Sequence, residues 1–399
     1  MRKVFLAWLV WGVLITTATA QQMLQLWQNG QCIFTRDIAT VDSITVNFRA
    51  ADSYRCIGKM IDGCIDIADE VGSKILTPYI LQQSGHGAMA KDAVECRYSF
   101  SSRECSRNNI ASIRNAYYGS LDGTVAEQSL SRLVASVNPD LDDKVRTAVT
   151  AADDAINGIM QPFFNHLADE QCETAAEKCT ELSSVLSQLK KYVEIEPTIN
   201  KDSKFDPIIV RYVDAVVLPS YAELRSATAS LYYNVADFYA NPSDEAFEGI
   251  AQGWFVAHAA FNKTEAYLFG PMSDYGLDPN IDSWPCDREQ MNSLLKSGKP
   301  DADCGNGSSD ELMQDMRGFH ALEYLVFRNG MPRTTHDTAS IFDNIMVYDE
   351  GNAANWRDYM MKVAATLRND AASLYNYWTK GSERYDGLSY AAWFKSHRL

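Results

Sequence analysis

The stretch that decides the reading of this chain runs Asp310-Glu311-Leu312-Met313-Gln314-Asp315-Met316-Arg317-Gly318-Phe319-His320-Ala321-Leu322-Glu323-Tyr324-Leu325-Val326-Phe327-Arg328. Its apolar residues recur at intervals of three and four, the period of an amphipathic helix. One face carries Met313, Met316, His320, Glu323 and Phe327, and the stripe beside it carries Leu312, Phe319, Leu322 and Val326. An imidazole and a carboxylate therefore stand one turn apart where a core helix would place two apolar side chains. Ser308-Ser309-Asp310-Glu311 fits a capping box ahead of this helix, and Gly330 falls where a helix C-terminal glycine belongs.

Burying such a pair has a cost. An uncompensated carboxylate in an apolar interior loses several kcal/mol or changes its protonation state, so a partner is expected. A metal ion would serve, because side chains at i and i+3 can share one ion, as in carboxylate-bridged metal bundles. The alternative is a hydrogen-bonded His–Glu pair that holds two helices in register. A second stripe, Trp254, His258, Phe261, Glu265 and Leu268, is interrupted in the same way. If the two faces meet, His258, Glu265, His320 and Glu323 converge, and nitrogen-plus-carboxylate sets suit Zn, Mn or Fe better than Ca or Mg.

Working outward, helical periodicity dominates and strand alternation is scarce. Amphipathic stretches cover about 54–82, 104–118, 140–168, 172–193, 207–239, 244–269, 309–328 and 353–379. Asn138-Pro139 places a capping side chain before a proline at the first helical position. Long helices with short connectors predict an all-α fold of bundles. The polar stretch Glu194 to Pro207 lacks a period and marks a boundary between two lobes, 21–200 and 205–399. Cys286 to Ser309 reads as a long surface loop. Asn262-Lys263-Thr264 and Asn306-Gly307-Ser308 match the glycosylation pattern, a pattern that arises often by chance.

The first residues combine Arg2 and Lys3, an uncharged run from Val4 to Ile15 and Ala18-Thr19-Ala20. They predict a signal peptide over 1–20, cleaved after Ala20, and export to the periplasm or cell surface. The apolar run is shorter than the ~20 residues a membrane helix needs. The first cysteine is Cys32, so the residue pattern of a lipid anchor is missing. Net charge is −16, or −18 once Arg2 and Lys3 are removed. An acidic chain without a basic patch repels phosphate backbones, which argues against nucleic acid as a partner.

Nine cysteines, at positions 32, 56, 64, 96, 105, 172, 179, 286 and 304, make disulfides the default in an oxidising compartment, with at least one thiol left over. Proximity in sequence favours Cys96–Cys105, Cys172–Cys179 and Cys286–Cys304. No CxxC, HExxH or GxSxG occurs, so a cysteine zinc knuckle, the usual zinc-peptidase helix and a serine-hydrolase elbow all lack their motifs.

Gly318-Phe319-His320-Ala321-Leu322-Glu323 resembles the GxHxxE signature of the imelysin family, also called the M75 peptidase-like family. Trp254 through Glu265 to Phe269-Gly270-Pro271, followed by Ile281-Asp282-Ser283-Trp284-Pro285, resembles the run that accompanies it. Glu95-Cys96-Arg97-Tyr98-Ser99, Asn108-Asn109 and Ile113-Arg114-Asn115-Ala116-Tyr117-Tyr118-Gly119 resemble the family's other half, which here comes first. The chain thus reads as a circular permutation, joined near 194–207. The resemblance implies two four-helix-bundle-like lobes with a site between them, lined by Ser99, Asn109, Tyr117, Asp282 and Trp284. It also implies an envelope protein linked to iron, with a disputed peptidase activity. Two departures stand out: His258 falls where relatives often carry arginine, and Cys105 falls near a position where they often carry aspartate.

Three functions follow as expectations. The first is a metal-binding envelope protein that holds iron or zinc through His320, Glu323, Glu265 and His258, with an envelope protein as a further partner. The second is a metallopeptidase with Glu323 as ligand or general base. The third is a non-enzymatic module that binds a peptide, haem or other small ligand in the cleft.

Overall fold

The computed structural model describes residues 50–298, 312–338 and 345–399, together with three short strands near the start. These strands, β1 (Thr16–Ala18), β2 (Gln21–Gln28) and β3 (Gln31–Asp37), pair antiparallel. Apart from one later two-stranded turn and the connecting loops, the described remainder is helical. In chain order come α1 (Tyr54–Gln83), α2 (Gly87–Asp92), α3 (Ser102–Tyr118), α4 (Leu130–Ala135), α5 (Pro139–Asn157), α6 (Glu170–Ile195) and α7 (Asp202–Tyr212). There follow α8 (Leu218–Ala240), α9 (Asp244–Asn262), α10 (Pro271–Asp274), α11 (Asp278–Ile281), α12 (Arg288–Ser297), α13 (Gly318–Val326), α14 (Ala353–Thr379) and α15 (Tyr390–Lys395). The expected leader (1–15 and the Ala20 end), the capping box at 308–311, the Asn306 sequon and Cys304 lie outside the described residues.

The helices close into two rings. In the first, α1 packs on α6, α6 on α5, α5 on α3 and α3 back on α1. In the second, α8 packs on α9 and α14, and α13 touches both α9 and α14. The rings meet where α3 lies against α9 and where the 3₁₀ turn Glu265–Tyr267 rests on α1 and α3. This is the all-α arrangement that the helical periodicity predicts. Among the described residues no helix is long and apolar enough to cross a membrane.

Local chemistry sets the helix starts. Asn138 Oδ1 accepts the Leu141 amide at 3.1 Å ahead of Pro139, as expected for a proline at the first turn. Ser243 Oγ accepts the Ala246 amide at 3.2 Å, and Asp244 and Glu245 meet the positive end of α9. The polar 196–201 connector is tied down rather than loose, because Asn200 donates to the carbonyls of Val193 and Glu194 and accepts from the Ala51 amide. Beyond it α7 runs through a π-turn, Val213–Val217, into α8.

Three expectations are corrected, each for a backbone reason. The helix read over 309–328 begins only at Gly318. Arg317 is extended and Gly318 takes φ +83°, so the helical period does not run back to Met313, which is exposed. A side chain on Gly318 would put a Cβ 2.3 Å from the Ile281 carbonyl oxygen, which makes this glycine a requirement of the close approach. The far end of α13 is capped by Arg333, whose guanidinium donates to the Tyr324 carbonyl at 3.1 and 2.8 Å. Gly330 (φ +80°) therefore belongs to the tight turn between β4 (Phe327–Arg328) and β5 (Met331–Pro332), not to a helix end. Finally, the helix read over 244–269 stops at Asn262, so Glu265 leaves the stripe of His258.

Candidate metal centre

Four elements converge at the junction of the rings: α9, α13, the residue after α11, and the loop 93–101 that leads into α3. All nine residues of α13 are buried, His320 and Glu323 among them. Filling those two positions with aliphatic side chains would contribute about 1.5–3 kcal/mol each. Keeping polar groups there instead requires partners, and both residues have them.

Glu323 is held by the loop. Its Oε1 accepts from the Tyr98 amide at 3.0 Å, the Ser99 amide at 2.8 Å and the Ser99 hydroxyl at 2.8 Å. The loop bends to make this possible: Cys96 and Phe100 sit in the left-handed region at φ 53° and 60°. The Gly330 amide donates to the Tyr98 carbonyl, and Phe100 stacks on Phe164. The second carboxylate oxygen of Glu323 lies 3.3 Å from His320 Nδ1. A proton on Nδ1 leaves the Nε2 lone pair free to face inward, the tautomer that metal-binding histidines take when a carboxylate orients them.

Nε2 of His320 points at an acidic patch, 3.5 Å from Asp282 Oδ1 and 3.5 Å from Glu95 Oε1. His258 reaches the same point from α9, with its Nε2 3.3 Å from Asp282 Oδ1. Ring contacts with Trp254 (4.5 Å between centroids) and Phe319 (4.9 Å) fix the His258 plane. Trp254 Nε1 donates to the Phe319 carbonyl at 2.9 Å and ties α9 to α13. Among the described residues, His258 Nε2, His320 Nε2 and Asp282 Oδ1 make no hydrogen bond, although all three are buried. They lie within 4.8 Å of one another. Three buried ligand atoms that make no hydrogen bond and gather around Asp282 Oδ1, at 3.3 and 3.5 Å, fit a bound cation.

The electrostatics agree with that fit. Burial works against charge on His320, but Asp282, Glu323 and Glu95 outweigh it and hold the imidazole charged far above its ordinary range. Burial opposes His258 as well, yet the Cys105 charge and Asp282 push its pKa up to about 10. Asp282 is lowered by His320 and then His258 against its own desolvation, and Glu95 is lowered mainly by Lys74, again against burial. Without a metal, the cluster is thus two imidazolium rings among carboxylates. A divalent cation that displaces one proton from each ring keeps the buried charge unchanged.

On its other side His258 faces sulfur. Its Nδ1 lies 3.6 Å from Cys105 Sγ and 4.0 Å from Cys96 Sγ, and the two sulfurs are 3.2 Å apart and unbonded. A hydrogen bond from Cys96, followed by the charge of His258, lowers the Cys105 thiol to about 6 despite its burial. Burial instead pushes Cys96 well up.

The other expected residues divide between the site's surroundings and the rest of the fold. Glu265 is buried beside Lys74 and Glu70, where desolvation raises it well above the carboxylate range, and it joins none of the ligand-atom groups. Tyr117 donates to Asp142 at 2.8 Å inside the first ring. The Asn109 amide lies 3.1 and 3.2 Å from the carbonyls of Cys105 and Asn262. Trp284, with Tyr98, His320 and Glu323, lines a cavity of about 190 Å³, and Ser99, Cys105 and His258 line a second of about 500 Å³. Of the suggested disulfides, Cys172 and Cys179 sit seven residues apart on α6, about 10 Å along the axis and out of bonding reach. Glu95 and Lys74 lay outside the expected site. No periodicity marks Glu95, because it precedes α3 in an irregular loop.

Over 174 residues the chain is 26% identical to "Iron-regulated protein A" of Synechococcus elongatus, a match that takes in 43% of this chain and 40% of that protein. A crystal structure of an imelysin peptidase from Bacteroides ovatus superposes with a TM-score of 0.67 at 42% identity, covering 71% of this chain and 82% of that one. The family profile described as Imelysin, Peptidase M75, matches residues 16–189 and 217–396. With most of its length matched, and with GxHxxE at the heart of the buried cluster, the chain belongs to the imelysin family.

Proposed function

We propose that this chain is an iron-linked, metal-binding protein of the cell envelope, with one divalent cation held by His258, Asp282 and His320. The observation that carries the reading is the set of three buried ligand atoms without hydrogen bonds, within 4.8 Å of one another. Two imidazole nitrogens and one carboxylate oxygen form the set used by non-haem Fe(II) sites, and they also suit zinc. The relative named for iron regulation favours iron. Bound there, the cation would supply charge neutralisation and a Lewis-acid centre. In this reading Glu323 orients His320 and braces the loop at Ser99, so it acts through the histidine rather than as a general base. Export rests on the Arg2-Lys3, apolar and Ala18-Thr19-Ala20 pattern. The permuted order rests on the inverted motif sequence.

Elemental analysis of protein purified without an affinity metal tests the reading. One equivalent of metal is expected to disappear in His320→Ala/Asp282→Asn, with helical content unchanged. An unaltered metal content in that variant would end the proposal. The peptidase reading draws support from the Bacteroides ovatus protein's name. It requires chelator-sensitive peptide cleavage that Glu323→Gln abolishes.

A further inference from the structure

The sulfur side of His258 is a separate matter from the carboxylate side. Cys96 reaches it from the strained loop, and Cys105 from the first turn of α3. Both thiols are buried, and both face His258 Nδ1 rather than Nε2. A tetrahedral cation with metal–sulfur bonds of about 2.3 Å and metal–nitrogen bonds of about 2.0–2.1 Å requires edges of about 3.8 Å between sulfurs and about 3.6 Å from sulfur to nitrogen. The edges present are 3.2, 3.6 and 4.0 Å. Shifts of about half an ångström would make the triangle one face of such a tetrahedron.

Two of the three ligands, Cys105 and His258, border a cavity. It holds about 500 Å³ and is also bordered by Ser99, Ser101, Asn108 and Trp254, and the Ser101 hydroxyl lies 3.5 Å from Cys105 Sγ. Three protein ligands beside a cavity describe a reactive metal site rather than a closed structural one. The outer contact is in place too, since a ring that gives its Nδ1 lone pair to a metal carries its proton on Nε2. Asp282 Oδ1 lies 3.3 Å from that nitrogen, the carboxylate–histidine–metal arrangement.

We infer that Cys96, Cys105 and His258 Nδ1 form a second metal site, for a thiophilic cation of the zinc class, whose open position faces the 500 Å³ cavity. Binding releases the remaining thiol protons to solvent and leaves two thiolates on the ion. The site goes beyond the carboxylate centre and does not rest on it. A neutral His258 has one lone pair, so a cation at the sulfurs and one at Nε2 compete for this ring unless it loses its second proton.

Cobalt(II) titration of the full-length protein, kept reduced, tests the inference. Thiolate-to-cobalt charge-transfer absorption should saturate at one equivalent and persist in His320→Ala, which removes the carboxylate centre. It should vanish in Cys96→Ser/Cys105→Ser, and His258→Ala should weaken binding at least tenfold; circular dichroism of each variant checks that the helices remain. Three results overturn the site: no such absorption in folded wild-type protein, absorption unchanged in the double serine variant, or a Cys96–Cys105 disulfide in protein isolated from its own cells. Loss of metal from His320→Ala alone bears only on the carboxylate centre, so the two ideas fail separately.

Discussion

His258 and His320 are equally buried and stand 5.5 Å apart between ring centroids, yet their surroundings differ. His320 is surrounded by carboxylates: Glu323 on Nδ1, and Asp282 and Glu95 on Nε2. His258 has one carboxylate, Asp282, on Nε2 and two thiols around Nδ1. Carboxylates on both nitrogens hold His320 charged when no metal is bound. The mixed surroundings of His258 support either tautomer, so this ring is the adjustable member of the pair. The difference teaches that burial alone does not define a ligand; what each nitrogen faces does.

Substitution of the two rings has the largest expected effect. If both Nε2 atoms hold the carboxylate-side cation, His320→Ala and His258→Ala each lose it, as read by elemental analysis. Retention of the metal in His258→Ala would assign that ring to the sulfur side alone. Glu323→Gln should act more mildly, weakening metal affinity about 10–100-fold, the usual effect of losing the partner that orients a ligand. Competition with a chelator of known affinity measures it, and an unchanged affinity would show that Glu323 does not set the His320 tautomer.

Proton linkage gives the next effect. Both rings are protonated near neutral pH without metal, so uptake should release about two protons per ion and tighten as pH rises. Release measured in weakly buffered solution checks this, and no release would mean that the cation binds elsewhere. Linkage also sets the stability of the metal-free protein. The folded pKa of His258, about 10, lies above the ordinary imidazole value of 6.5, so its contribution is complete below pH 6.5 and is lost as pH rises through 10. Urea midpoints should fall over that range, and fall less in His258→Gln. The smallest effect concerns Cys179, buried on α6 near Gly72. Cys179→Ser should cost about 1–3 kcal/mol by burying a hydroxyl among apolar neighbours, with metal content untouched.

Much of this was legible in the sequence. The long amphipathic helices announced themselves by period, and α1, α3, α6 and α14 begin and end within about two residues of the expected bounds. His320, Glu323 and His258 were visible as polar interruptions of apolar faces. Glu265 was not legible as it stands, because periodicity cannot see that α9 ends at Asn262 and turns the next residues toward Lys74. Asp282 follows the four-residue α11, where no period operates, so only resemblance placed it near the site. The true start of α13 depended on a left-handed glycine held against Ile281, a tertiary contact that sequence spacing does not reveal. Cys96 and Cys105 were paired by proximity, but their geometry with His258 emerges only once α3 and α9 are packed together.

The central claim is that one cation sits among His258 Nε2, His320 Nε2 and Asp282 Oδ1. Anomalous diffraction from crystals of metal-loaded protein, collected at the metal's absorption edge, tests it most directly. A peak is expected about 2.0–2.2 Å from all three atoms. Full occupancy of a metal elsewhere, with no peak between these three side chains, would contradict it.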